Sequence, residues 1–282
     1  MKKQFVGLFF LAVLFSLYSC EEIPPVLNPG GGGGNTGGGD LASQQRQVLV
    51  EEFTGVRCVN CPAGAQAINT LKDIYGKKLV PVSIHAGFFA QPYPGSIENY
   101  ANAEGNAIQS YVGEPLGYPT AVVNRRQFAG EASLQVGQGT WAGYIADEIA
   151  AAPRIKLASS HTYDSGSRQV SGTLLMYPQE NITETDVRST IFIVQDSIAD
   201  YQLTPAGVNP TYMHRHVFRG AIGAVTGVAL TGPLNQGAEL SRTFTYTLPA
   251  NWVAEDCYLV MFVHLNGDRK DVLQVIEKKI IE

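Results

Sequence analysis

The chain has 282 residues, of which 20 are Lys or Arg and 25 are Asp or Glu, so its formal net charge is −5 at pH 7. This acidic balance offers no basic surface for nucleic acid, and no glycine-rich phosphate loop follows a strand, so nucleic-acid binding is disfavoured. No internal repeat with a period of roughly 20–50 residues is present, which disfavours a solenoid or a propeller.

The N-terminus has the features of a signal peptide. Two lysines precede an apolar run over residues 5–18, which stops just before Cys20. Since the run is shorter than the roughly 20 residues that cross a bilayer, we expect a signal peptide over residues 1–19 rather than a membrane-spanning helix. The end of this segment resembles a bacterial lipobox, although Tyr18 is bulkier than the usual residue. The resemblance implies that Cys20 is lipidated and anchors the protein to a membrane.

Residues 20–47 form the next segment, which has no apolar periodicity and contains two glycine runs, residues 30–34 and 37–39. A glycine-rich coil of this length spans roughly 30 Å, so we interpret the segment as a lipidated N-terminus followed by a flexible linker. The folded part is expected to begin near Val48.

The remaining residues exceed the commonest size of a single domain, and their pattern changes along the chain. Residues 48–152 mix apolar strands with alanine-rich helical stretches, whereas residues 153–282 hold alternating strands with few helical signals. The sequence therefore predicts two domains that separate near Pro153.

A C-x-x-C pair, Cys58 and Cys61, lies between a predicted strand over residues 48–53 and a helical pattern that opens at Pro62. At such a junction the helix N-terminus presents unpaired N–H groups and a partial positive charge, which stabilise a thiolate on Cys58. Arg57 would act in the same direction if its side chain turned towards the sulfur. Cys61, one turn further on, is placed to resolve a mixed disulfide.

These residues resemble a thioredoxin-like protein, in which a C-x-x-C motif accompanies a βαβ pattern. The segment Gly117-Tyr118-Pro119-Thr120 resembles the part of that fold in which a cis-proline faces the dithiol, so the resemblance implies that Pro119 is cis and contacts the substrate backbone. It also implies that Glu52 accepts a proton from the resolving cysteine. A strand register shifted by one residue would make Glu51 the inward-facing residue instead.

The strand that follows the first predicted helix has two further features. Pro81 interrupts the strand over residues 79–84, which predicts that this strand lies at or near a sheet edge. His85, at the end of that strand, could approach the dithiol, but a structural role is commoner there.

Seven strands are predicted in the second half, and this number favours an immunoglobulin-like sandwich. Cys257 has no partner cysteine there and is expected to be a small buried thiol. His214 and His216 alternate on one predicted strand, but two ligands are fewer than zinc needs, so no metal site is expected. The predicted strands cover residues 154–163, 168–177, 189–198, 214–223, 241–249, 257–266 and 271–280.

The lipobox, the glycine linker, the run Glu51-Glu52-Phe53-Thr54-Gly55, the motif Cys58-Val59-Asn60-Cys61-Pro62 and the β-rich second half together resemble the twenty-eight-kilodalton outer-membrane protein family (Omp28-related) of Bacteroides-type bacteria. The resemblance implies a lipoprotein of the cell envelope and outer membrane. The expected architecture is an α/β thioredoxin-like domain followed by an all-β immunoglobulin-like sandwich.

Two functions of different classes remain open. One is thiol–disulfide exchange with thiols or disulfides of envelope proteins, with Cys58, Cys61, Pro119 and Glu52 as the site residues and no cofactor. The other is a non-enzymatic binding or adhesion lipoprotein in which the Cys58–Cys61 disulfide is structural. A structural zinc site would need four ligands, and the first domain supplies two cysteines and His85, so we set it aside.

Overall fold

The computed structural model describes residues 41–282, and the predicted signal peptide, Cys20 and most of the predicted linker lie outside them. The described residues are mostly β-sheet with few helices. The elements of the first half are β1 (Val48–Thr54), α1 (Cys61–Tyr75), β2 (Leu79–His85), α2 (Ala103–Val112), β3 (Thr120–Val123), β4 (Gln135–Gly137) and α3 (Trp141–Ala150).

The second half of the chain continues with strands. Each of the seven predicted strands has a counterpart here, and three further strands, β8, β9 and β11, were not predicted. The elements are β5 (Ile155–Asp164), β6 (Gln169–Pro178), β7 (Val187–Gln195), β8 (Ile198–Thr204), β9 (Gly207–His214), β10 (Val217–Ala221), β11 (Val228–Ala229), β12 (Leu240–Thr247), β13 (Cys257–Leu265) and β14 (Val272–Lys279).

A β-α-β unit, β1-α1-β2, places the C-x-x-C motif. The two strands are parallel, with Val48 opposite Leu79, and every residue of both strands is buried. The helix has a proline in its first turn, where the lost N–H costs nothing, and ends at Gly76, whose φ of 54° suits a residue without a side chain. Ile68 and Leu71 on its buried face pack against β1. The loop after β1 and the start of α1 are thereby fixed at one end of the sheet.

The large sheet of the described residues has the strand order β14-β13-β7-β10-β2-β1-β3-β4, with β11 paired to β7. One sheet therefore holds strands from both sides of residue 153, with β14-β13-β7-β10 from the second half next to β2-β1-β3-β4 from the first. They also share a core, in which Leu49 and Val80 pack with Phe192, Phe218 and Val272. The described residues belong to one compact unit, which differs from the expectation of two domains separating near Pro153. The boundary was predicted from a change in local sequence pattern, and such a change does not indicate that β10 of the second half pairs with β2 of the first.

The strand that contains Pro81 is also placed differently from the prediction. Instead of lying at an edge, β2 lies between β1 and β10. However, β10 meets β2 at a single residue pair, Val217 with Ser83. The part of β2 that contains Pro81 is therefore paired only with β1, and this tolerates the missing N–H of a proline.

The second half forms two facing layers. The sheet β12-β6-β5 packs its apolar side chains, such as Leu174 and Phe244, against Ile191, Leu259 and Ile276 of the large sheet. One layer of the predicted sandwich is thus the continuation of the large sheet, and the immunoglobulin-like topology stays a prediction. Within residues 41–282 no helix is both long enough and apolar enough to cross a membrane.

Cys257, at the start of β13, is fully buried, as the sequence predicted, and it is the free cysteine of the described residues. Burial raises the pKa of its thiol to about 12. A thiol in this state is unreactive at neutral pH.

Candidate functional site

Cys58 and Cys61 form a disulfide at the N-terminus of α1, with their Cα atoms 5.4 Å apart. Cys58 precedes the helix and Cys61 is its first residue. The N-cap side chain makes no capping hydrogen bond and the first turn contains no acidic residue. The partial positive charge of the helix N-terminus is therefore not neutralised by its own side chains. Both cysteines are nearly enclosed, with 4% and 2% of their surface exposed.

Arg57 does not turn towards the sulfur atoms. Its Nε donates to the carbonyl oxygen of Gln91 at 2.8 Å and its Nη2 to that of Pro92 at 2.7 Å. The guanidinium also lies 4.3 Å from the centre of the Tyr93 ring. Arg57 therefore fixes the loop over residues 91–93, and the helix N-terminus remains the source of positive charge at Cys58.

Glu52 faces the helix that carries the disulfide. Its Oε2 accepts a hydrogen bond from the Ser83 hydroxyl at 3.1 Å, whereas its Oε1 is buried without a hydrogen-bond partner. Burial raises the pKa of Glu52 to about 7, and the bond from Ser83 opposes this rise. At neutral pH this carboxyl can therefore both take up and release a proton.

Glu51 points to the opposite face of β1, where Arg125 binds both of its oxygens at 2.6 and 2.8 Å. The side chains of Glu51 and Arg125 are fully buried. Of the two registers that the sequence left open, the structure has the one in which Glu52 faces the disulfide helix.

Pro119 follows a cis peptide bond, as the resemblance implied. It meets α1 at Gly64, since a side chain at this glycine would begin 2.7 Å from both the Pro119 Cβ and the Glu52 Oε1. Only a glycine allows the helix to approach the strand and the proline this closely. The structure thus brings Cys61, Glu52 and Pro119 to one end of α1.

Two buried histidines lie beside Glu52. The sequence left open that His85 approaches the dithiol, and it did not place His214 there. His85 lies at the end of β2, and His214 at the end of β9, with 5.6 Å between their ring centres. Burial lowers the pKa of His214 to about 4, and burial together with the neighbouring His214 lowers that of His85 well below 6.5. Both rings are therefore neutral at pH 7. They line one small cleft together with Glu52, Cys61 and Tyr212.

His216 does not share a strand face with His214, contrary to the predicted alternation. The strand β9 ends at His214, and His216 has a φ of 55°. Its Nδ1 lies 3.3 Å from the Asp196 carboxylate. Within residues 41–282 the structure has no group of three or more His, Cys, Asp or Glu side chains that could hold a metal ion.

The hairpin β8-β9 contacts the loop that leads to the disulfide. The Leu203 amide donates to the carbonyl oxygen of Val56 at 2.7 Å. The side-chain amide of Gln202 donates to the carbonyl oxygens of Gly55 at 3.3 Å and Cys58 at 3.1 Å. Sequence reasoning missed this contact because these residues are more than 140 positions apart.

The comparison with known families decides the family of this protein. A family model described as "Outer membrane protein Omp28" matches residues 106–282, more than half of the chain. The chain belongs to the Omp28 family. It is thus an envelope lipoprotein of the outer membrane, as the sequence predicted. The matched range begins after Cys61, so membership of the Omp28 family does not by itself say what the disulfide does.

Solved structures show the same overall fold. HBP35 of Porphyromonas gingivalis superimposes with a TM-score of 0.62 at 18% identity, over 84% of this chain and 76% of that one. A protein of Agrobacterium tumefaciens superimposes with a TM-score of 0.50 at 12% identity, over 85% and 97% of the two chains. At these identities the likeness concerns the fold alone. No functionally curated protein matches this Omp28 family member.

Proposed function

We propose that this Omp28 family member exchanges disulfides with other envelope proteins through Cys58 and Cys61, and that its first half is a thioredoxin-like module. The observation that carries the proposal is the position of the disulfide at an uncapped helix N-terminus, beside a buried carboxyl group whose pKa is about 7. The first feature favours a thiolate on Cys58, and the second supplies a proton acceptor and donor near Cys61.

The exchange begins when a thiolate of a partner protein attacks the Cys58 Sγ. A mixed disulfide forms, the Cys58–Cys61 bond breaks, and Cys61 leaves as a thiolate that takes up the proton held by Glu52. A second thiolate of the partner then attacks the partner's own sulfur in the mixed disulfide, and Cys58 leaves as a thiolate. The partner departs with a disulfide bond, and the Cys58–Cys61 pair has been reduced by two electrons to two thiols. The reverse sequence reduces a partner disulfide.

Pro119 supports this proposal by its position. It lies against Gly64 on the same side of α1 as Glu52 and next to the disulfide end of the helix. In the proposed function it contacts the backbone of the bound partner.

A second candidate function is a binding or adhesion lipoprotein with an inert disulfide. The observation in its favour is the low exposure of the two cysteines, 4% and 2%, together with the hydrogen bonds from Gln202 over their loop. In this function the disulfide holds the loop, and binding takes place elsewhere on the surface.

Thiol reactivity separates the two functions. The experiment uses a Cys20→Ser/Cys257→Ala background, so that Cys58 and Cys61 are the thiols measured. After reduction, alkylation at mildly acidic pH should label Cys58 before Cys61, and a Cys61→Ser variant should trap mixed disulfides with envelope proteins, with Cys58→Ser as the matched control. Equal and slow labelling of both thiols, with no trapped partner, would establish the inert disulfide instead.

A further inference from the structure

Lysines are distributed unevenly over the described residues. Residues 41–282 contain seven lysines, and six of them come from three segments of the chain, residues 72–78, 156 and 278–279. Four of the six line one cleft and the other two lie next to residues that line it or adjoin it, with Lys270 as the exception. We call these six residues the lysine face. They are Lys72, Lys77, Lys78, Lys156, Lys278 and Lys279.

Specific contacts bring these segments together. Lys77 and Lys78, which follow α1, line the cleft with Lys278 and Lys279 from the end of β14. Lys72 joins them because its Nζ lies 3.1 Å from the Glu277 carboxylate.

Lys156 in β5 lies beside the cleft, since its Nζ donates at 2.8 Å to the carbonyl oxygen of Ala42, the residue before Ser43 in the lining. Among the residues that line the cleft, Glu277 and Glu282 carry the carboxylates. Cations are thus in excess here, although the whole chain has a net charge of −5.

The segment that leads back to Cys20 is fixed at this same cleft. Ser43, Gln44, Gln45 and Gln47 line it. The Gln44 side chain donates to the Leu157 carbonyl at 2.7 Å and accepts from the Leu157 amide at 2.9 Å. The chain that comes from Cys20 therefore enters the described part of the protein next to the lysine face.

The disulfide lies at the opposite end of α1. This helix has 15 residues, so about 22 Å separate Cys61 at its start from Tyr75, two residues before Lys77. A membrane that contacts the lysine face would thus lie roughly one helix length away from the disulfide.

We propose that the lysine face binds anionic phospholipid headgroups of the membrane that carries this lipoprotein. Charge complementarity supports this occupant, because ammonium groups near an anionic surface are attracted to it within about one Debye length. The described residues that follow the predicted linker support it as well, since Ser43, Gln44, Gln45 and Gln47 line the same cleft. Bound in this way, the protein presents its disulfide end away from the lipid surface.

The test measures binding to vesicles without the contribution of the anchor. The protein is residues 20–282 with Cys20→Ser, and the probes are phosphatidylethanolamine vesicles with about one quarter phosphatidylglycerol, and vesicles of phosphatidylcholine alone. We expect sedimentation with the anionic vesicles only, and its loss when salt is raised from about 0.05 M to about 0.5 M.

Two charge-reversed variants locate the contact. Lys77→Glu/Lys279→Glu changes two exposed residues of the lysine face and should weaken binding to anionic vesicles roughly tenfold or more. Arg269→Glu/Lys270→Glu makes the same change of charge before the other end of β14, roughly 25 Å away along the strand, and should retain most of the binding. Circular dichroism checks that both variants are folded, and the corresponding Gln variants replace any that is not.

Binding of the unchanged protein to both kinds of vesicle alike would overturn the proposal, as would an equal loss in the two double variants. Retention of an acidic envelope protein by the lysine face, with no vesicle binding, would assign the face to a protein partner instead.

Discussion

The side-chain amide of Gln202 donates a hydrogen bond to the backbone carbonyl oxygen of Cys58 at 3.1 Å, across 144 residues of sequence. The same amide group reaches the Gly55 carbonyl oxygen at 3.3 Å. Only 3% of Gln202 is exposed, so water does not replace these bonds easily. The hairpin β8-β9 is therefore part of the structure that holds the disulfide loop.

Replacing Gln202 with Leu should loosen this loop. The change removes the hydrogen bonds that the Gln202 amide donates to two carbonyl oxygens, each of which keeps only its backbone donor. The free energy of unfolding should fall by about 1–3 kcal/mol. The disulfide should also be reduced faster by dithiothreitol. Urea unfolding and the rate of thiol release measure the two effects, with the exposed Thr211→Ala on β9 as the control. An unchanged reduction rate would show that Gln202 does not restrain the motif.

Glu52→Gln should change how stability depends on pH. The folded-state pKa of Glu52 is about 7, above its ordinary value of 4.5, so the folded state binds this proton more tightly. The resulting stabilisation is fully present below about pH 4.5 and is lost as the pH rises through about 7; a difference of this size corresponds to roughly 3 kcal/mol.

Glutamine does not titrate, so the variant should gain stability relative to the unchanged protein between about pH 4 and pH 8. Urea unfolding at several pH values measures this, and exposed Glu255→Gln controls for the loss of a carboxylate elsewhere. Parallel pH profiles for the unchanged protein and Glu52→Gln would contradict the assigned pKa.

The effects of replacing Glu51 and Arg125 on stability should be strongly non-additive, because the two side chains form a buried ion pair. Arg125→Met leaves a buried carboxylate without its partner, which should cost about 3–5 kcal/mol in urea unfolding. The double variant Glu51→Leu/Arg125→Met should recover much of this loss because no charge remains buried. The partly exposed pair Arg188 and Asp186 is the control, and Arg188→Met should cost about 1 kcal/mol or less. A double variant as unstable as Arg125→Met would count against the coupling.

Gly64→Ala tests the close approach of α1 to Glu52 and Pro119. The added methyl group would lie 2.7 Å from each of them, so the helix must shift. We expect a loss of about 1–3 kcal/mol even though alanine favours helices. The matched control is Gly143→Ala in α3, where the methyl group meets open space and should stabilise by up to about 1 kcal/mol. Equal effects of the two changes in thermal unfolding would show that Gly64 is not tightly packed.

The fragments 42–152 and 153–282 should each fail to fold when made alone, because their strands form one sheet and share one hydrophobic core. Arg46 also donates to the carbonyl oxygens of Val272 at 2.9 Å and Leu273 at 3.0 Å, across the predicted boundary. Circular dichroism of each fragment tests this, and mixing the two should restore the spectrum of the whole protein. Cooperative unfolding of either fragment alone would restore the original two-domain interpretation.

Local features of this protein were predictable from its sequence. The strand β1, the helix α1 and the dithiol at their junction follow from apolar periodicity and from Pro62. The cis bond at Pro119 was implied by resemblance to a known motif. Which of Glu51 and Glu52 faces the disulfide helix was not predictable. Every residue of β1 is buried, so apolar residues lie on both faces of the strand and do not distinguish them. Only the position of the helix relative to the strand decides it.

Long-range pairing was not predictable. His214 approaches His85, and Gln202 approaches Cys58, through a hairpin whose strands have exposed and polar residues and therefore a weak pattern. The same holds for β10, which has five residues and lies at the centre of the large sheet. Nothing in so short a segment indicates which distant strand it pairs with.

The bonds from Arg46 to Val272 and Leu273 join positions 226 and 227 residues apart. Contacts of such high sequence separation slow folding, because a long loop must close before they form. During export β1 and β2 reach the envelope before β10, which pairs with β2, and before β14, which shares their core. The Cys58–Cys61 loop can close at once. The apolar side chains of β1 and β2 that pack against the later strands stay uncovered until those strands arrive, and can associate with other chains. The core of this lipoprotein is therefore complete only when its last strand has arrived.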